Sequence, residues 1–391
     1  MATKKLNIKL SGRLDTTNTA EWYEKISAAI REQSAEELFI DCEELEYISS
    51  TGLRALITVV KSGCKVHCFG ASQTVYDIFE VTGLTALMDV QKAFKRIHLD
   101  DSALMAKGTV GMIYRLDEDR VVKVFNQKVT IDLIRRERKY AQKVLLSGIP
   151  TVISYDIVQV DDCYGIIFEM AGAEEFSRKL DQAPERFDEL AALYAGLLKQ
   201  INHTSVGQGD LPEAKEIYHG YVDGSSEFLN GTEMEALHGL IDSVPDRDTM
   251  LHGDYHANNL MFQGDELMLI DLGDVSRGHP IFDLAGMYVS HILVGSYQPA
   301  FIKAGMGIDT DVCRRLWDRA LRLYFPGETE SELKRKEDLI RRFAHLKLAV
   351  MYAIAPGLEN YLSWKPLEDA RTVLFPGLDA LKADLEKNDL C

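Results

Sequence analysis

The sequence predicts two domains of different fold class, an α/β domain over residues 1–99 and an α+β domain over residues 100–391. Three observations point to this. The 391 residues exceed one ordinary domain at roughly 100–200 residues each. Strand and helix signals alternate along the first hundred residues, whereas further on hairpin strands come first and helices dominate after residue 281. Charge is also unevenly shared: residues 1–100 hold 12 Lys/Arg and 14 Asp/Glu, leaving 32 against 47 for the remainder. The texture changes at His98-Leu99-Asp100-Asp101-Ser102, a short polar stretch without a Gly or Pro linker.

The elements of the first domain follow in order. Leu6-Asn7-Ile8-Lys9-Leu10 alternates with period 2 and stops at Ser11-Gly12, as a half-buried strand does. Trp22, Ile26, Ala29 and Ile30 recur at helical spacing between Thr19 and Gln33. Glu37–Cys42 reads as a compact strand. Ser50-Thr51-Gly52 offers a helix start, and Leu53, Leu56, Ile57 and Val60 form one apolar stripe ending at Gly63. A strand over Lys65–Gly70 and a helix over Gln73–Val81 complete a small sheet covered by helices.

The second domain opens on a hairpin, with Gly108 and Gly111 in its first turn and Val121-Val122-Lys123-Val124-Phe125 as a strand. Glycines there let backbone N–H groups approach phosphate oxygens. Lys123 stands in an apolar run, where a lysine belongs only if its ammonium meets an anion. Glu137 lies on a helix beginning near Thr130 and shares one face with Ile134, Ala141 and Val144. A lysine and a glutamate placed this way account for each other as an ion pair. Later, Leu251-His252-Gly253-Asp254-Tyr255-His256-Ala257-Asn258-Asn259 precedes a hairpin ending at Asp271. Phosphoryl transfer needs a carboxylate for the attacking hydroxyl, which suits Asp254. It also needs hard oxygen ligands for Mg²⁺, which suits Asn259 and Asp271. The rival reading, His252 and His256 as zinc ligands one helical turn apart, lacks the required Glu and a helix-compatible residue at Gly253.

Composition narrows the classes. A net charge of −17 disfavours nucleic-acid binding by bulk electrostatics, and no apolar run approaches the roughly 20 residues that cross a bilayer. The start of the chain has no signal-peptide pattern, and the scattered cysteines fit reduced thiols in a cytoplasmic protein. Cys64 and Cys68 lack the further ligands of a metal site. The net of −15 beyond residue 100 suits a cationic acceptor.

Two family resemblances rest on these residues. Gly12-Arg13-Leu14-Asp15 and Tyr47-Ile48-Ser49-Ser50-Thr51-Gly52-Leu53 resemble the STAS domain of anti-sigma-factor antagonists over about residues 4–98. That resemblance implies a protein partner and a phosphorylated hydroxyl at Thr51 or Ser50, although Ser49 stands where the family has Asp; ordinary helix capping explains the same residues. His252-Gly253-Asp254, Asn259 and Asp271-Leu272-Gly273 resemble the aminoglycoside phosphotransferase and choline kinase family over roughly residues 103–375. It implies a bilobal protein-kinase-like fold, with an antiparallel-sheet N-lobe over 100–172 and a mainly helical C-lobe over 173–391. It further implies ATP or GTP with Mg²⁺, a small-molecule hydroxyl as acceptor, and a hinge at Phe168-Glu169-Met170-Ala171 whose backbone meets the base. Glu169 and Met170 are thus expected nucleotide contacts, beside Gly108, Gly111, Lys123 and Glu137. A signalling alternative has the second domain phosphorylate Thr51 or Ser50, or only sense nucleotide. His203, Asp274, Tyr288, Trp317 and Trp364 read as structural residues.

Overall fold

The computed structural model describes residues 4–108, 110–172, 174–355, 357–387 and 390, and the chain divides into two compact units. One comprises Met1–His98 with Ile157–Asp162, the other Leu99–Asp156 with Cys163–Cys391.

In the first unit the elements run β1 (Lys5–Leu14), α1 (Thr19–Gln33), β2 (Glu37–Ile48), α2 (Ser50–Lys61), β3 (Lys65–Ala71), α3 (Gln73–Val81) and β4 (Asp89–Lys92). The strands pair in the order β1-β2-β3-β4, every pair parallel. Parallel neighbours require crossovers, and the three helices supply them. Leu38, Ile40 and Cys42 on β2 are buried while their neighbours are not, so one face of the sheet carries the core. The strand outruns its apolar pattern, continuing to Ile48. Its pairing with β1 slips between Lys9–Asp41 and Ser11–Glu44, and this irregularity absorbs the polar Glu43-Glu44 that interrupts the alternation. On α2, Leu53, Leu56 and Val59 are buried, with Ile57 and Val60 packed partly against the same core.

The second unit starts with an antiparallel sheet. Strands Leu104–Lys107, Gly111–Arg115, Arg120–Phe125 and Cys163–Glu169 lie side by side in that order. The helix Ile131–Leu146 begins at Thr130, whose hydroxyl accepts from the Leu133 N–H, so the start expected from sequence is the capped one. The rest is mainly helical. Helices Phe187–Asn202, Ala214–Asp223, Gly231–Ser243, Ile281–Tyr288, Thr310–Tyr324 and Glu330–Ile354 surround one core that includes Tyr194, Trp317 and Phe343. Tyr288 and Trp317 belong to that core, whereas Trp364 is 45% exposed and packs beside Tyr352. Among the described residues no helix is long and apolar enough to cross a membrane, and the cysteines are unpaired.

Candidate active site

Lys123 comes from the strand Arg120–Phe125, with Val122 and Val124 buried on either side of it. Its Nζ donates to Glu137 Oε1 at 2.9 Å and to Asp271 Oδ1 at 2.8 Å. Glu137 is delivered by the helix face that buries Ile134, Ala141 and Val144. Burial alone would lower the Lys123 ammonium, but the Glu137 and Asp271 carboxylates offset this and hold it above its ordinary value. Burial pushes the Glu137 carboxyl up, against the pull of Lys123. Two carboxylates share one ammonium, so this end of the site keeps an unneutralised negative charge.

The loop carrying Asp254 leaves the short strand Met250–Leu251 and is pinned from below. Asp283, on the first turn of the helix Ile281–Tyr288, accepts from the backbone N–H of His252 at 2.9 Å and of Gly253 at 2.7 Å. Its Oδ2 also accepts from Asn202 Nδ2 at 2.9 Å, and Tyr324 donates to Asn202 Oδ1 at 3.1 Å. Asp283, Asn202 and His252 are each 1% exposed. Asp283 carries the same sequence signal as Lys123, a charged residue inside an apolar run, Ile281-Phe282-Asp283-Leu284-Ala285, but no neighbouring motif marks it as functional.

Gly253 has φ +83°, and a Cβ there would stand 2.3 Å from the Asp274 carbonyl oxygen. Only glycine meets both conditions. Gly253→Ala should therefore displace the loop, lowering both the thermal midpoint and kcat. The φ alone costs about 1–2 kcal/mol for a residue with a side chain. An alanine variant with wild-type kcat and unfolding would show that the loop has slack.

Asp254 follows. Burial works to raise its carboxyl, but His256, with Nε2 at 3.4 Å, Lys347 and His252 hold it well below the usual carboxylate range. The Nδ1 atoms of His256 and His252 accept from the backbone N–H of Asn258 and of Asp254. Asn259 Nδ2 donates to the Asp254 carbonyl at 2.9 Å, and its Oδ1, with no hydrogen bond among the described residues, could face a cation. The hairpin register, Leu260 opposite Leu269, places the Ile270 N–H on the Asn259 carbonyl at 2.9 Å. Asn259 and Asp271 are thereby brought together. Asp271 sits at φ +59°, a conformation uncommon outside glycine and found at functional sites when the surroundings enforce it.

Beside Asp254 lies a cavity of about 160 Å³ lined by Tyr218, Tyr221, Asp274, Phe282, Lys347 and Ile354, among others. Burial raises both tyrosines, Tyr221 to about 12, so they stay protonated. Lys347 was also missed in the sequence, where it interrupts Leu346-Lys347-Leu348-Ala349-Val350. His203 is exposed; its Nδ1 bonds the Lys199 carbonyl at its helix end and its ring lies beside that of Tyr324.

One expectation needs correction. Gly111 lies in a strand, not in the turn: a Cβ on it would meet the Val124 carbonyl at 2.3 Å, so strand packing alone demands glycine. Gly108 closes the turn by donating to the Gly111 carbonyl at 2.8 Å; Thr109 lies outside the described residues. At the hinge, the Met170 N–H is engaged by the Asp119 carbonyl and that of Glu169 by the Ile153 carbonyl. The Ala171 N–H has no hydrogen bond among the described residues. In the first unit, the side chain that caps α2 is Ser49, accepting from the Gly52 N–H at 3.3 Å. Ser50 and Thr51 occupy the first turn, with Ser50 exposed.

Residues 112–307, about half of the chain, match the family model described as the phosphotransferase enzyme family, and residues 3–98 match that of the STAS domain. An anti-sigma-B factor antagonist of Staphylococcus aureus is 27% identical over 89 residues, covering 22% of this chain and 82% of that protein. A choline/ethanolamine kinase family protein from Mesorhizobium loti aligns with TM-score 0.48 and 12% identity, over 73% of this chain and 92% of that one. The ternary complex of APH(2")-IIa with streptomycin and ATP aligns with TM-score 0.46 and 16% identity, over 70% and 92%.

Proposed function

Because the chain belongs to the phosphotransferase enzyme family, we propose that it carries the terminal phosphoryl group of ATP, or of GTP, to a hydroxyl of a small molecule. One observation supports this above the others: Lys123 is fixed between Glu137 and Asp271, while Asn259 bonds the Asp254 carbonyl through Nδ2 and, through its own carbonyl, the N–H of Ile270 next to Asp271. Lys123 takes the α- and β-phosphates, and Ala171 meets the base. Asp254 aligns the acceptor hydroxyl and takes its proton as the new O–P bond forms and the nucleoside diphosphate leaves.

The donor set fits Mg²⁺. Asn259 Oδ1 and the half-exposed Asp271 carboxylate are hard oxygens beside uncompensated negative charge, and Mg²⁺ keeps waters and substrate phosphates for its other positions. Among the described residues no cluster of three or more His, Cys, Asp or Glu forms an all-protein cage, which agrees with a two-ligand site. Bound there, the metal supplies neutralisation of phosphate charge.

The cavity beside Asp254 is close to the 150 Å³ or so that holds a benzene-sized molecule. It therefore takes a small alcohol, or one ring of a larger acceptor. Labelled ATP with Mg²⁺, added to the full chain with and without a panel of amines, sugars and hydroxy acids, tests the reading. Label on an acceptor, absent with Asp254→Asn, is the expected result; ATP that neither binds nor reacts would refute it. Lys123→Met should weaken ADP binding by about 10- to 100-fold, the worth of a charge-assisted contact, as titration calorimetry would read.

A second reading has its own support in the exposed Ser50 at the start of α2 and in the anti-sigma-B antagonist relative. The N-terminal unit would dock a protein partner, with phosphate placed on Ser50 or Thr51 against the helix N-terminus. Label on the chain at residues 50–51, rather than on an added acceptor, would favour it.

A further inference from the structure

We propose that Lys347 is a catalytic residue, its ammonium contacting the phosphoryl group in flight; this rests on the phosphotransferase reading above. Phosphoryl transfer spreads negative charge over three equatorial oxygens, which have to pass between the nucleotide end of the site and the acceptor hydroxyl. The carboxylates of Asp254 and Asp274 line the cavity, and that of Asp271 is bonded to Lys123. Lys123 is committed to Glu137 and Asp271. The cation that lines the cavity next to Asp254 and Asp274 is Lys347.

Its placement is built rather than incidental. Lys347 projects from the helix Glu330–Ile354, between the buried Leu346 and Leu348, and donates to the Gly253 carbonyl at 3.1 Å, one residue from Asp254. Gly286 leaves room for it: a Cβ there would stand 3.1 Å from Nζ. An ammonium has three donors, and the Gly253 carbonyl uses one. The other two have no hydrogen-bond partner among the described residues and are available to phosphoryl oxygens. Residue 347 lies beyond residues 112–307, so this cation enters the site from outside the segment that carries the family pattern.

The step balances without further reactants. The acceptor O–H gives its proton to Asp254, its oxygen bonds to the γ-phosphorus, and the bond from that phosphorus to the β-phosphate bridging oxygen breaks, with its electron pair leaving on the diphosphate. Lys347 forms no covalent bond; it compensates charge on the transferring group.

A test that needs no acceptor uses ADP with aluminium fluoride, a mimic of the transferring phosphoryl group. With Mg²⁺ present, the full-length wild type should bind ADP more tightly when fluoride and aluminium are added. Lys347→Met should lose about 10- to 100-fold of that tightening, with affinity for ADP alone unchanged. Lys347→Arg should keep part of it, and thermal unfolding of both variants separates this from loss of structure. Full tightening in a folded Lys347→Met, or no tightening in a wild type that binds ADP, would overturn the proposal. A wild type that does not bind ADP would instead defeat the phosphotransferase reading itself.

Discussion

Asp254→Asn should lower kcat by about 10²- to 10⁴-fold, the range one positioned acid–base group supplies, with ADP affinity close to wild type. The substitution keeps the shape of the side chain and the Asn259–Asp254 backbone contact, and removes the proton acceptor. Pre-steady-state measurement of label transfer from ATP would read the loss directly. The pH dependence follows from the same carboxyl. Because its surroundings hold it below the ordinary range, Asp254 stays ionised at pH values where free carboxylates are protonated. Its contribution to stability is present above the ordinary carboxylate pKa and disappears only as pH falls through the lowered value. The acid limb of the wild-type activity profile should therefore not move when Asp254 is the only group changed. Wild-type kcat in Asp254→Asn, at any pH, would remove this residue from the chemistry.

How much of this was legible beforehand depends on whether a signal was local. Lys123 and Glu137 could be paired from sequence because each breaks an apolar pattern at a fixed place, and the structure joins them at 2.9 Å. The same argument reaches Asp283 and Lys347, but both interrupt helical runs with no motif nearby, so nothing in the sequence says what they meet. Their partners, the His252 and Gly253 amides and the Gly253 carbonyl, are backbone groups, which leave no mark on residue identity. In the first unit, the strand–helix alternation announces a small sheet covered by helices, while the run of β2 to Ile48 depends on a register slip that no residue type announces. The cavity is assembled from residues 214–221, 253–282 and 347–354, separations too great for spacing arguments. Bulk charge does not describe it: the cavity sets the ammonium of Lys347 beside the carboxylates of Asp254 and Asp274.

Asp283→Ala should be the most destabilising single change near the site, by about 3–5 kcal/mol, and should also reduce activity. Removing the carboxylate takes the acceptor from the buried His252 amide, the part-buried Gly253 amide and one N–H of Asn202, whose Nδ2 keeps the Met250 carbonyl, and each orphaned buried donor costs about 1–3 kcal/mol. The cavity left by the side chain adds to this. Asp283→Asn separates shape from charge. Its amide keeps the volume but can offer one oxygen where three donors converge, so it should recover part of the stability and little of the activity. Activity is the more sensitive quantity because the two amides fix the residue next to Asp254, and a displacement of about 1 Å at such a point costs about 10²-fold in rate. Urea unfolding of both variants, read beside kcat at a temperature where each remains folded, distinguishes the two effects. If Asp283→Ala unfolds with the wild type, the loop amides have found other partners, and the account of how the Asp254 loop is held fails.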